Sequence, residues 1–147
     1  MGKHNELIFV EGNSKYDNYN KIEREIAKNS HRDLSLYKQP GKGKGDEVRC
    51  GFQHAQGDIL MILDADMTVP PEDLTRFYNA IASGKGEYIN GVRLVYPMEE
   101  QAMRFLNILG NKFFSLAFSW LLDQPIKDCL CGTKVLTREN YLRIAEN

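Results

Sequence analysis

Apolar positions along the chain fall into short runs separated by stretches with a helical period. Residues 58–66, Asp-Ile-Leu-Met-Ile-Leu-Asp-Ala-Asp, form one such run, closed by two carboxylates one residue apart. Large aliphatic side chains without alternation predict a strand covered on both faces, as in the middle of a parallel sheet. Residues 6–10, Glu-Leu-Ile-Phe-Val, repeat the pattern and lead into Glu11-Gly-Asn-Ser14. Residues 33–37 predict a second, less apolar strand ahead of the loop Gln39-Pro-Gly-Lys-Gly-Lys-Gly45. Helices are predicted between the strands. Residues 18–27 place Tyr19, Ile22 and Ile26 on one face, and residues 46–55 make Val48, Phe52 and Ala55 the buried side.

Further on, Thr68-Val-Pro-Pro-Glu-Asp73 opens a helix. Pro71 suits the first helical position, and Glu72 and Asp73 suit the positive end of the helix dipole. This helix runs to about Ser83, where Gly84 and Gly86 end it. Residues 87–95 predict a strand. Residues 99–122 predict the longest helix, interrupted at Gly110 and Asn111. Residues 128–136 read as irregular or short strand, and 138–146 as a last helix. Strands alternating with helices give one α/β domain with a mostly parallel sheet. Parallel strands carry their carboxyl ends to one side, so Glu11, the loop after Gln39 and Asp64/Asp66 are expected at one edge. Open α/β sheets bind ligands there.

Composition narrows the picture without redirecting it. A length of 147 residues suits a single domain with its own core. The net charge of −1 supplies no basic field for nucleic acid. An odd set of cysteines, Cys50, Cys129 and Cys131, reads as reduced thiols of the cytosol. His4, His31 and His54 show no ligand spacing beside them, which argues against zinc. The first residues carry no apolar signal region, and no stretch is a clear membrane span.

The candidate chemistry is that of a diphosphate. If the chain stays extended, Asp64 and Asp66 share one side of their strand. Two oxygen ligands select a hard cation, Mg²⁺ or Mn²⁺, which neutralises a diphosphate and helps it leave. The plain alternative is a strand that runs out into solvent. In the loop at 41–45, glycines let backbone N–H groups approach an anion ahead of a helix N-terminus, with Lys42 and Lys44 adding charge. A solvated loop without ligand is the alternative here. A P-loop nucleotidase is disfavoured, because Lys44 is followed by Gly45 and Asp46 rather than Ser or Thr.

Four segments then carry a resemblance: Phe9-Val-Glu-Gly-Asn-Ser14, Gln39-Pro-Gly-Lys-Gly-Lys-Gly45, Gly57-Asp-Ile-Leu-Met-Ile-Leu-Asp-Ala-Asp66 and Asp128-Cys-Leu-Cys-Gly-Thr-Lys134. In this order and spacing the chain resembles family-2 glycosyltransferases, in the branch similar to dolichyl-phosphate mannosyltransferase and polyprenyl-phosphate glycosyltransferases. The resemblance implies a GT-A fold and inverting transfer from a nucleotide-diphosphate sugar, GDP- or UDP-linked. It implies nucleotide contacts at Glu11, Asn13, Ser14, Lys42, Lys44, Gly45 and Asp64. Asp64 and Asp66 match the metal and diphosphate motif, with Asp66 catalytic. Arg93, Arg104 and Lys134 are the implied acceptor-phosphate contacts. Lys134 stands where relatives often carry Arg, and supplies charge without the bidentate fork.

A lipid-phosphate acceptor is already an anion and needs cations rather than a base; a hydroxyl acceptor needs a base, for which Asp128 is the candidate. The segment at 113–122, rich in Phe and containing Trp120, reads as ordinary core. Its alternative is an amphipathic face against a bilayer, which suits a lipid acceptor at the cytoplasmic face of a membrane. The chain departs from the family in lacking its first strand and helix and in ending soon after Lys134. The expectation is therefore a partial protein of weak or no activity by itself. Two other classes stay open: a fold-keeping binding module without turnover, and a nucleotidyltransferase, which also uses a glycine-lysine loop and paired acids.

Overall fold

The computed structural model describes residues 5–12, 14, 16–67, 69–92, 105–128 and 131–146. Within them the chain divides into two compact units, Met1–Leu60 and Met61–Asn147.

In the first unit, strand β1 (Glu6–Glu11) pairs in parallel with β2 (Asp33–Lys38), in register from Glu6 opposite Asp33 to Glu11 opposite Lys38. Helix α1 (Asn18–Lys28) makes the crossover that parallel strands require. Its half-buried side carries Tyr19, Ile22 and Ile26, as the period predicts. Helix α2 (Lys44–His54) packs mainly on β1. Ala55, just past the helix, is buried as expected, but within the helix Cys50 is buried while Val48 and Phe52 are only half-covered, so its most buried face differs from the expected one. Gly51 lets α2 approach closely, since a Cβ there would stand 3.4 Å from Val10 Cγ2. The expectation that β1 is covered on both faces fails. Leu7 is 49% exposed, and among the described residues β1 and β2 form a two-stranded sheet by themselves.

The second sheet has the order β3-β5-β4, from β3 (Ile59–Met61), β4 (Tyr88–Asn90) and β5 (Lys134–Thr137). Only three residues of the run at 58–66 join a ladder. Leu60 is buried, and the Ile62 N–H still donates to the Lys134 carbonyl at 2.9 Å. The chain then turns: Met67 N–H bonds the Asp64 carbonyl at 3.0 Å, with Met67 at φ 52. Alternation along a strand therefore does not relate Asp64 to Asp66. A single turn of 3₁₀ helix at Pro71–Asp73 opens α3 (Leu74–Ala82), and Gly84 at φ 71 closes it, as predicted.

β4 runs antiparallel to β5, Tyr88 opposite Leu136 and Asn90 opposite Lys134. Val135 and Leu136 of β5, Ile81 of α3 and Val69 are buried core. Helix α5 (Arg138–Ala145) starts directly after β5, where the Thr137 hydroxyl accepts the Asn140 N–H. Helix α4 (Phe105–Leu122) continues through Gly110 and Asn111, so the expected interruption is absent. Among the described residues no atom beyond the adjoining stretch of helix lies within 4 Å of where a Cβ at Gly110 would stand.

Candidate functional site

In the first unit the candidate residues collect where β1 and β2 end. Glu11, 8% exposed, folds back so that its Oε1 accepts the Ser14 N–H at 2.7 Å. Its carbonyl takes the Gln39 N–H at 3.1 Å, which joins the acidic turn to the start of the glycine loop. A polar cavity of about 340 Å³ opens beside it, lined by Glu11, Ser14, Tyr16, Asp17, Tyr19 and Lys38, among others. Lys38 holds its ammonium 4.5 Å from the centre of the Tyr19 ring. Tyr16, Tyr19 and Lys38 were not legible as site residues, because helical and strand periods say nothing about which side chains frame a hollow between elements.

The glycine loop is more internally bonded than its sequence suggests. Gly43 adopts φ 84, a conformation that glycine reaches without strain, and Lys44 and Gly45 already belong to the first turn of α2. Asp46 Oδ2 accepts the Gly41 N–H at 2.7 Å, so a carboxylate of the chain takes one donor of the expected anion cradle. Gln39 Nε2 donates to the Gly41 carbonyl at 3.0 Å, while its buried Oε1 has no hydrogen-bond partner among the described residues. Gly12 lies under the Glu47 carboxylate, which any side chain at that position would displace. Lys42 and Lys44 are exposed.

In the second unit the candidates gather around β5. Lys134 begins that strand, and its carbonyl holds Ile62, two residues before Asp64. Asp64 is half-buried and Asp66 exposed, at the turn that follows. Asp128 is fully buried, with Oδ1 accepting the Cys131 N–H at 3.1 Å. Asn90 donates to the Asp128 carbonyl and accepts from Lys134 Nζ at 2.8 Å. The same ammonium donates to the Cys131 carbonyl at 2.8 Å. Cys131, 1% exposed, presses so close to β4 that a Cβ at Gly91 would lie 2.7 Å from its sulfur. Asn13, Arg93 and Arg104 lie outside the described residues.

Donor chemistry decides what Asp64 and Asp66 can hold. Both offer carboxylate oxygen, which fits Mg²⁺ or Mn²⁺ and not a soft metal. Among the described residues no group of three or more His, Cys, Asp or Glu is placed to hold a metal. A cation here would take its remaining ligands from water and ligand oxygens, the habit of Mg²⁺ at phosphate sites.

α4 presents the other unusual surface. Phe113, Phe114, Leu116, Phe118, Trp120, Leu121 and Leu122 are all exposed, Trp120 by 85%, while Ser115 is buried. The reading of the segment at 113–122 as core is thereby overturned: it buries a small polar residue and exposes Phe113, Phe114, Phe118 and Trp120. Ser119 donates to the Ser115 carbonyl at 2.6 Å and accepts the Ile126 N–H at 2.8 Å, fixing the helix end. No helix among the described residues is long and apolar enough to cross a membrane.

Residues 1–143 match the family described as glycosyl transferase family 2. The chain is 32% identical over 120 residues to glycosyltransferase AglJ of Haloferax volcanii, covering 81% of this chain and 38% of that protein. It is 31% identical over 88 residues to undecaprenyl-phosphate 4-deoxy-4-formamido-L-arabinose transferase of Shewanella sediminis, covering 60% and 26%. It is 32% identical over 143 residues to dolichyl-phosphate beta-glucosyltransferase ALG5C of Trichomonas vaginalis, covering 91% and 41%. The chain thus spans well under half the length of these curated relatives.

Proposed function

The chain belongs to glycosyl transferase family 2, with the GT-A fold of that family, and we propose that it serves transfer of a sugar from a nucleotide-diphosphate sugar to a polyprenyl phosphate, with inversion. The observation that carries this reading is Lys134. A cation is fixed at the head of a strand whose own carbonyl holds the segment running into Asp64 and Asp66. Two of the relatives are named for transfer involving undecaprenyl or dolichyl phosphate, which supports the acceptor class.

In this reading Glu11, Asn13 and Ser14 meet the nucleoside, and Lys42, Lys44 and Gly45 meet the diphosphate. Asp64 and Asp66 would hold Mg²⁺ or Mn²⁺, which when bound supplies neutralising charge to the departing diphosphate. Lys134, with Arg93 and Arg104, holds the acceptor phosphate. That phosphate is already anionic, so no base is needed, and Asp128 serves to brace its turn. The exposed aromatic side chains of α4 rest on the membrane surface that carries the lipid, as interfacial helices do.

Calorimetry with GDP- and UDP-sugars, with and without Mn²⁺, tests the donor half. Metal-dependent binding that disappears in Asp66→Ala is expected; binding indifferent to both ends this reading. Transfer of labelled sugar into citronellyl phosphate tests the acceptor half. Flotation with anionic liposomes, comparing the chain with a Phe113→Glu, Trp120→Glu variant, tests the surface, and equal recovery of both removes it. A second reading, nucleotide binding without turnover, has support from Asp46, whose carboxylate takes the Gly41 N–H that a diphosphate would use.

A further inference from the structure

Asn90 ends β4, directly opposite Lys134 in the antiparallel pair with β5. Its amide engages two segments at once. Nδ2 donates to the carbonyl of Asp128, and Oδ1 accepts from Lys134 Nζ at 2.8 Å. The Cys131 carbonyl is a second acceptor for that ammonium, also at 2.8 Å. Both acceptors are neutral, so these two bonds aim the ammonium without cancelling its charge. A lysine charge rides on a flexible stem, and its rotamer freedom must be lost before it can act at one point in space.

The frame around it is stiff. Gly91 N–H bonds the Thr133 carbonyl at 2.9 Å, and Cys131, Thr133 and Asp128 are each 2% exposed or less. A site supported by strands and by a bonded surrounding shell holds its geometry better than a loop does.

We propose that Asn90 is a positioning residue for Lys134. It fixes the ammonium as the cation that meets the acceptor phosphate, and locks it to the Asp128 turn. The identity of the anion rests on the proposed function; the positioning role of Asn90 rests on its bond to the ammonium. The two can therefore fail separately.

Two measurements test it. The first is the ¹⁵N signal of the Lys134 ammonium, assigned with Lys134→Met and read for protection from solvent exchange. Wild type and Asn90→Asp, which keeps an acceptor, should retain the signal, and Asn90→Leu should lose it. The second is calorimetry with citronellyl phosphate. Asn90→Leu and Lys134→Met should each bind about tenfold more weakly. The double variant should be within about twofold of Lys134→Met, since the two residues act as one. Asn90→Asp should keep the signal yet bind weakly, because its carboxylate cancels the charge.

An ammonium signal indifferent to Asn90→Leu overturns the proposal, as do losses that multiply in the double variant. If wild type binds no citronellyl phosphate but its ammonium signal depends on Asn90, the acceptor reading falls and the positioning role stands. Should Asn90→Leu fail to fold, Asn90→Ser, too short to reach Lys134, is read in the same way.

Discussion

Glu11 and Asp128 solve the same local problem with opposite surroundings. Each carboxylate accepts the backbone N–H of the residue three positions on, Ser14 at 2.7 Å and Cys131 at 3.1 Å. Such local side-chain bonds satisfy a backbone donor that no ladder reaches. The Glu11 turn opens on a polar cavity of about 340 Å³, with Ser14 exposed. The Asp128 turn is sealed: Asp128 is fully buried, and Asn90 and Lys134 are bonded across it. One motif therefore leaves room for a ligand to compete, whereas the other spends its polar groups on holding a cation still. The same bonding chemistry is open to solvent in one unit and buried in the other.

The largest effect that can break this contrast lies at Asp128. Asp128→Ala leaves the Cys131 N–H without its acceptor in a buried site, and should cost about 2–3 kcal/mol of stability. Asp128→Asn keeps an oxygen there and should cost about 1 kcal/mol. Urea titration measures both, and equal small losses would show that the buried turn is not held by its carboxylate. Glu11→Ala should cost about 1 kcal/mol or less, because water can reach the freed Ser14 N–H. Its larger effect should be on nucleotide-sugar binding, weakened about tenfold in calorimetry. A loss of stability matching that of Asp128→Ala would erase the distinction between the two turns.

A smaller gain is expected at the glycine loop. Asp46→Ala releases the Gly41 N–H and removes a negative charge from the first turn of α2. Pyrophosphate binding, followed by calorimetry, should tighten about threefold. No change would mean that the loop donors do not face the anion.

The smallest effect concerns alkaline pH. Burial, and secondarily the Asp46 carboxylate, push the Cys50 thiol up in the first unit. Partial burial of Tyr88, still 51% exposed, and secondarily Cys131, push its phenol up in the second. Below the ordinary values, about 8.5 for Cys and about 10 for Tyr, folded and unfolded chains are both protonated and neither group affects stability. Above them the unfolded chain ionises while the folded one resists, so stability falls until the raised folded pKa is passed. Stability should therefore begin to fall at about pH 8.5 through Cys50 and at about pH 10 through Tyr88. Urea midpoints across this range, compared with Cys50→Ser, should show the earlier fall abolished in the variant.

Most elements were legible because their signals are local. The period of α1, the proline at the head of the turn before α3 and the glycine after α3 each act within a few residues. The family was legible from four ordered segments, since spacing along a chain survives without coordinates. The burial of Cys50 within α2 was not legible, because it depends on the close approach of Gly51 to Val10. Nor was the exposure of α4, since an aromatic run has the same pattern whether protein or solvent covers it.

The candidate site divides along the same line. By itself the sequence determined which groups are available: two carboxylates one residue apart at Asp64 and Asp66, a glycine-lysine loop, and acids at Glu11 and Asp128. Only the tertiary structure decided what those groups are bonded to. It gave the Gly41 N–H to Asp46, bent the chain between Asp64 and Asp66, and joined Asn90 to Lys134. Asn90 and Lys134 lie 44 positions apart. Covalent order limits which neighbours each residue can meet nearby, but long-range pairing is set by the packing of the sheet, and no local pattern encodes it.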